Sequence, residues 1–183
     1  MVIQEFINES KNLDGKISKG MFMEICYLFG YFWVQVGKAS TSLIWINKIL
    51  NEPKTELRTD IQSIARIINL IAHYELGNRE FIEYNLKSTT RFLANRDRLY
   101  QFERVTLKYI RQLANIHPDK DPKETLVCFQ KEMTNVLSED SDQKALGLFN
   151  VLIWIQARIE NVLMAEIIQN KEKEVKSNSS PLN

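Results

Sequence analysis

The sequence predicts an all-α protein, an α-solenoid of about seven helices stacked as antiparallel hairpins. Three observations carry this. The 183 residues include 6 glycines and 4 prolines, too few for a strand-and-turn protein. Apolar residues step by three and four along most of the chain, the period of a helix face. Gly37 with Lys38, and Gly77 with Asn78, then cut that pattern into hairpin-sized pieces.

The length suits one core or a short run of repeats that share one. Residues 1–170 read as a single helical-repeat domain and 171–183 as a disordered tail. With 24 Lys and Arg against 23 Asp and Glu, the net charge is +1, so no global field draws the chain to nucleic acid or an anionic membrane. Cys26 and Cys128 lie on apolar helical patterns without a CxxC partner, and read as buried free thiols of a reducing, cytoplasmic compartment. Residues 21–36 are apolar enough to weigh a membrane span. A span needs about 20 apolar residues, and this run is shorter and holds Glu24 and Gln35, so a buried repeat helix is expected.

In chain order, Val2 to Glu9 is a short amphipathic segment with Ile3, Phe6 and Ile7 on one side. The first long helix runs from about Gly20 to Val36 and is apolar nearly all round, so most of its circumference must be covered. Its partner, Ser40 to Asn51, turns Leu43, Ile46, Ile49 and Leu50 inward, and Pro53 stops it. The third helix, Leu57 to Leu76, buries Ile61, Ile64, Ala65, Ile68, Ile71 and Ala72, and keeps one polar stripe of Gln62, Arg66, Asn69 and His73. Gly77 and Asn78 cap it in left-handed geometry.

The fourth helix, Glu80 to Ala94, has Phe81, Tyr84, Ser88 and Phe92 as its inward set. The fifth, Leu99 to Asn115, uses Phe102, Val105, Tyr109, Ile110 and Leu113. Asp121, Pro122 and Glu124 form a helix-start signature, with Asp as cap and Pro at the first helical position. The sixth helix follows to Leu137. From Ser138 to Asp142 a long seventh helix begins, carried inward by Leu146, Phe149, Leu152, Ile153, Ile159 and Leu163. After Asn170 the composition of Lys, Glu, Ser and Asn cannot offset the cost of ordering.

The stretch from Met21 to Pro53 resembles a tetratricopeptide (TPR) repeat. With Gly37 as the turn glycine, Gly30 takes the small position where the two helices cross, and Cys26, Phe29 and Trp33 take the large positions. Ser42 takes the small position of the second helix, Ile46 and Ile49 follow on its packing face, and Pro53 lies at the end. Asp60 to Leu93 is a divergent second hairpin of the same kind. Glu56 to Asp60, His73 to Asn78 and the Arg91–Leu93 turn also resemble the C-terminal segment of an uncharacterised family of bacterial TPR-containing proteins. That likeness implies that the chain belongs at the end of a longer solenoid.

In TPR folds the first helix of each hairpin lines a concave groove that holds peptides. The resemblance therefore implies a peptide-binding groove at Glu24, Tyr27, Tyr31 and Gln35, with Arg66, Asn69 and His73 as the matching stripe of the second hairpin. Glu24 and Gln35 are the two polar residues of an otherwise apolar helix, and both fall on that side. The competing reading is ordinary solvation of a convex surface.

Nothing in the sequence points to catalysis or a cofactor. His73 and His117 are the two histidines, and neither has a carboxylate, thiol or second histidine at metal-ligand spacing. Gly-rich phosphate loops, GxSxG and paired-carboxylate motifs are absent. Residues 79–111 carry Arg79, Lys87, Arg91, Arg96, Arg98, Arg104, Lys108 and Arg111 interleaved with Tyr84, Phe92 and Tyr100, a pattern that can track single-stranded RNA or an acidic partner. Glu80, Glu83, Asp97 and Glu103 dilute it toward a solvated face. The expected function is thus a non-catalytic protein- or peptide-binding scaffold, the alternatives being that basic segment or a purely structural end cap. The apolar first helix also predicts uncovered surface at the N-terminal edge, to be buried against an identical copy or further repeats.

Overall fold

The computed structural model of the chain describes residues 17–52, 57–95, 100–138 and 149–178. Over these residues the protein is all-helical, with eight helices in order: α1 (Lys19–Gln35), α2 (Ala39–Leu50), α3 (Thr59–Glu75), α4 (Arg79–Ala94), α5 (Gln101–Asn115), α6 (Lys123–Leu137), α7 (Val151–Glu160) and α8 (Met164–Asn178). Each packs on the next, α3 also packs on α1 and α5, and α8 returns to touch α1. Among the described residues no helix is long and apolar enough to cross a membrane. The segment from Val2 to Glu9, Pro53, Glu56, Arg96, Arg98 and Leu99, and residues 139–148, where the seventh helix was expected to begin and which include Leu146, lie outside the described residues.

The first hairpin forms where the glycines require it. Ser18 caps α1 by accepting the Met21 N–H. At the other end Gly37 adopts φ +72°, which lets the Lys38 N–H reach the Trp33 carbonyl and the Gly37 N–H reach that of Val34. These two bonds satisfy carbonyls that the helix end would otherwise strand. Gly77, at φ +70°, ends α3 in the same way, with bonds from Asn78 to His73 and from Gly77 to Tyr74.

α1 and α2 cross at Gly30. Ser42 Oγ donates to the Gly30 carbonyl at 2.6 Å, and a Cβ added to Gly30 would lie 2.7 Å from Ile46 Cγ1. Close approach is bought with the missing side chain. Phe29 stacks on Trp45 beside it.

α3 is the centre of the stack. All six of its expected core residues are buried, and burial extends to Ile67, Leu70, Gln62 and Asn69. The five expected residues of α5 are buried as well. α6 starts at Lys123, one residue later than expected, with Asp121 Oδ1 accepting the Lys123 N–H at 2.9 Å.

Four expectations need correction. α4 buries Ile82, Leu86, Thr89 and Leu93, whereas Phe81 and Tyr84 are 60% and 74% exposed. Both sets have helical spacing and sit one residue, about 100°, apart; packing selected the aliphatic one. The long seventh helix is two, because Asn161 takes a left-handed conformation (φ 55°) and the Val162 N–H closes back on Ala157. Helix α8 continues through Asn178, past Asn170 where the tail was expected. Finally, Cys26 is buried but Cys128 is exposed.

Candidate functional site

The expected groove residues fall on two separate faces. On α1, Tyr27 is buried and its ring stacks on Tyr31. Tyr31 in turn meets Phe149 edge-on, with ring centres 5.2 Å apart. Gly37 lies against Leu163. This side of α1 therefore faces the chain's own C-terminal part.

Glu75, the last residue of α3, joins that part to the centre of the stack. One of its oxygens accepts the Trp154 indole N–H at 2.7 Å and the other accepts from Arg158 at 3.0 Å. Arg158 also donates to the Val162 carbonyl, and Tyr74 packs edge-on against Trp154. A carboxylate at a helix C-terminus opposes the helix dipole, so Glu75 is held there by these two donors.

The α3 stripe points elsewhere, into a ladder with α4 and α2. The Arg66 guanidinium lies 4.1 Å from the centre of the Phe92 ring. Asn69 accepts from Asn85 at 2.8 Å and donates to Asn47 at 3.4 Å. His73 stacks on Phe81, planes 4° apart, with Asn78 Nδ2 3.3 Å from its Nδ1. Burial lowers the pKa of both Arg66 and His73, the direction expected when a cation loses water. Arg66, Asn69 and His73 thus hold three helices together rather than lining a groove with Tyr27 and Tyr31.

Of the remaining pair, Glu24 is exposed and accepts from Arg58 at 3.2 Å, while Gln35 is half-buried in the last turn of α1. Arg58 also holds Asp60. Burial would raise the Asp60 pKa, but the hydrogen bonds from Arg58 and the backbone outweigh it and the net shift is downward. The Cys26 thiol, deep in the α1–α2 interface, is pushed up to about 11 by burial. Thiolate chemistry at neutral pH is closed to it.

Three surface features were not drawn from the sequence in this form. Along α1, Met21, Leu28 and Phe32 form a stripe that is 52%, 55% and 49% exposed, with half-buried Ile25 between them. On α4, Phe81 and Tyr84 stand beside exposed Lys87 and Arg91. Within the basic segment, Lys108 is paired with Glu132 at 2.6 Å and Arg79 donates to the Ile116 carbonyl, so part of its charge is engaged. The third feature is a cleft of about 510 Å³ where α3, α4, α6 and α7 meet, with Tyr74, Arg79, Lys123, Leu126, Arg158 and Ile159 among its walls.

The fold and these faces define an all-α, helical-repeat-like protein. Compared with known proteins, the chain matches no family model, no curated protein and no solved structure.

Proposed function

We propose that the chain is a non-catalytic, TPR-like protein-interaction module of the cytoplasm, and that it associates through the outer face of α1 with a second copy of itself. The observation that carries this is the stripe of Met21, Leu28 and Phe32, each about half exposed, on a helix of 17 residues. Such a helix is about 25 Å long. A contiguous exposed apolar row, unlike apolar residues scattered singly, marks an interaction site. A stripe repeated at i, i+7 and i+11 on one straight helix can meet its own copy across a two-fold axis, where each side chain finds the same surface opposite. The glycine-mediated crossing at Gly30 and the matching turns at Gly37 and Gly77 support the TPR-like assignment. Phe149 packs on Tyr31 at the expected groove side of α1, which leaves the outer face for binding.

Sedimentation velocity across a concentration series tests this. The wild-type chain should show a concentration-dependent dimer, and Leu28→Glu with Phe32→Glu should give a folded monomer of unchanged helix content whose melting temperature no longer rises with protein concentration. A strict monomer at high concentration, with no binding of an apolar-surface dye, would end the proposal.

A second reading draws on the α4 face. Phe81, Tyr84, Lys87 and Arg91 are all exposed on one helix, and aromatic rings beside cations suit single-stranded RNA. Retention on immobilised RNA should then fall steeply with salt and vanish on Tyr84→Ala with Lys87→Ala. No retention at low salt would exclude it.

A further inference from the structure

The geometry points to the cleft between α3, α4, α6 and α7 as a binding site for a small organic anion bearing a carboxylate or phosphate group. Its volume of about 510 Å³ falls within the usual range of small-molecule sites, roughly 300–1,000 Å³. Tyr74, Leu126 and Ile159 give it apolar walls, and three cations, Arg79, Lys123 and Arg158, converge on it.

Among the described residues, three cations line the cleft against two carboxylates, Glu75 and Asp121. Glu75 has both oxygens engaged by Trp154 and Arg158, so that pair is closed. Arg79 bonds the Ile116 carbonyl, a neutral group, and has no carboxylate partner among the described residues. Lys123 has no side-chain partner among them at all. Asp121 is the other carboxylate of the lining, and one of its oxygens accepts the Lys123 backbone N–H.

Arg79 is the first residue of α4 and Lys123 the first of α6, so both cations stand at helix ends whose first N–H groups have no partner within the helix. Glu80 and Glu124 in the first turns already complement the two dipoles. An anion in the cleft meets the two cationic side chains and the helix ends together. The 77–79 turn gives it room: a Cβ on Gly77 would touch nothing within 4 Å.

The test uses the full chain in low-salt buffer, titrated separately with inorganic phosphate and with citrate. Melting temperature and backbone amide shifts are followed. Saturable stabilisation by either anion is expected, with shifts concentrated at Gly77, Lys123 and Asn161, and none from sodium chloride at matched ionic strength. Lys123→Glu should weaken binding about tenfold or more, through the loss of one charge-assisted contact and the gain of a repulsive one. The same variant should leave the ligand-free melting temperature equal or higher, since this side chain makes no hydrogen bond or ion pair among the described residues. Arg79→Gln combined with Lys123→Gln should abolish the shifts. Equal effects from chloride, shifts spread elsewhere, or unchanged binding by Lys123→Glu would each overturn the site.

Discussion

Replacing Glu75 separates two accounts of how the C-terminal helices are held. In Glu75→Ala the Trp154 indole N–H, on a residue 1% exposed, loses its acceptor, and a stranded buried donor costs about 1–3 kcal/mol. The Arg158–Glu75 ion pair, with side chains 28% and 21% exposed, adds up to about 1 kcal/mol after allowance for screening. Removing a carboxylate from the end of α3 returns a few tenths of a kcal/mol through the helix dipole, on the order of 0.3. The net expectation is a loss of about 2 kcal/mol, within a range of roughly 1–4. Glu75→Gln keeps an acceptor for the indole and gives up the ion pair alone, so its loss should stay below about 1 kcal/mol. Urea denaturation, read from the midpoint at constant slope, with tryptophan emission as a second probe, measures both. If alanine and glutamine behave alike, within about 0.5 kcal/mol, the indole bond contributes nothing and the reasoning fails.

Gly30→Ala forces a Cβ against Ile46, which is fully buried; overpacking of about 1–3 kcal/mol set against a helix-propensity gain of about 1 kcal/mol predicts no change to a loss of about 2. Ile46→Ala, which removes the side chain beyond Cβ, should relieve the overlap, giving a favourable coupling energy in a double-mutant cycle, whereas a clear stabilisation by Gly30→Ala alone would refute the close crossing. His73 has its pKa lowered by burial, so the unfolded chain binds the proton more readily. Its contribution is complete above the unfolded value near 6.5 and is lost as pH falls from there through the folded value. Urea midpoints measured between pH 7.5 and 5 should therefore decline, and His73→Gln should flatten that slope. One thiol per native chain should react with a maleimide: exposed Cys128 promptly, and Cys26, buried with its pKa near 11, after unfolding. Rapid reaction of both in the native state would contradict the burial of Cys26.

The first hairpin was legible because single residues decide it. Gly30 and Gly37 are needed for a close crossing and a positive φ, and their spacing is visible in the chain. The core of α3 and of α5 was legible because their apolar rows have no rival at helical period. On α4 two rows compete, Phe81–Tyr84–Ser88–Phe92 and Ile82–Leu86–Thr89–Leu93, and periodicity cannot rank them; the Arg66 and His73 partners of half-buried Phe92 and exposed Phe81 come from another helix. The break at Asn161 carries a weak signal, since asparagine enters left-handed geometry only where the surroundings favour it. The groove residues were harder still. Whether the ligand side of α1 is open depends on Phe149 and Leu163, more than 110 residues downstream, and no local pattern encodes that contact.

That long return has a kinetic consequence. Hairpins such as α1–α2 and α5–α6 close over short stretches of chain, and local contacts form early. The meeting of Tyr31 with Phe149 and of Gly37 with Leu163 closes a loop of well over 100 residues, and depends on the intervening helices being already in place. It is therefore expected to form last and to be given up first. Hydrogen exchange should divide the molecule accordingly, with amides of α3 and α5 exchanging only through global unfolding, while those of α7 and α8 also exchange through a smaller opening that leaves the first five helices intact.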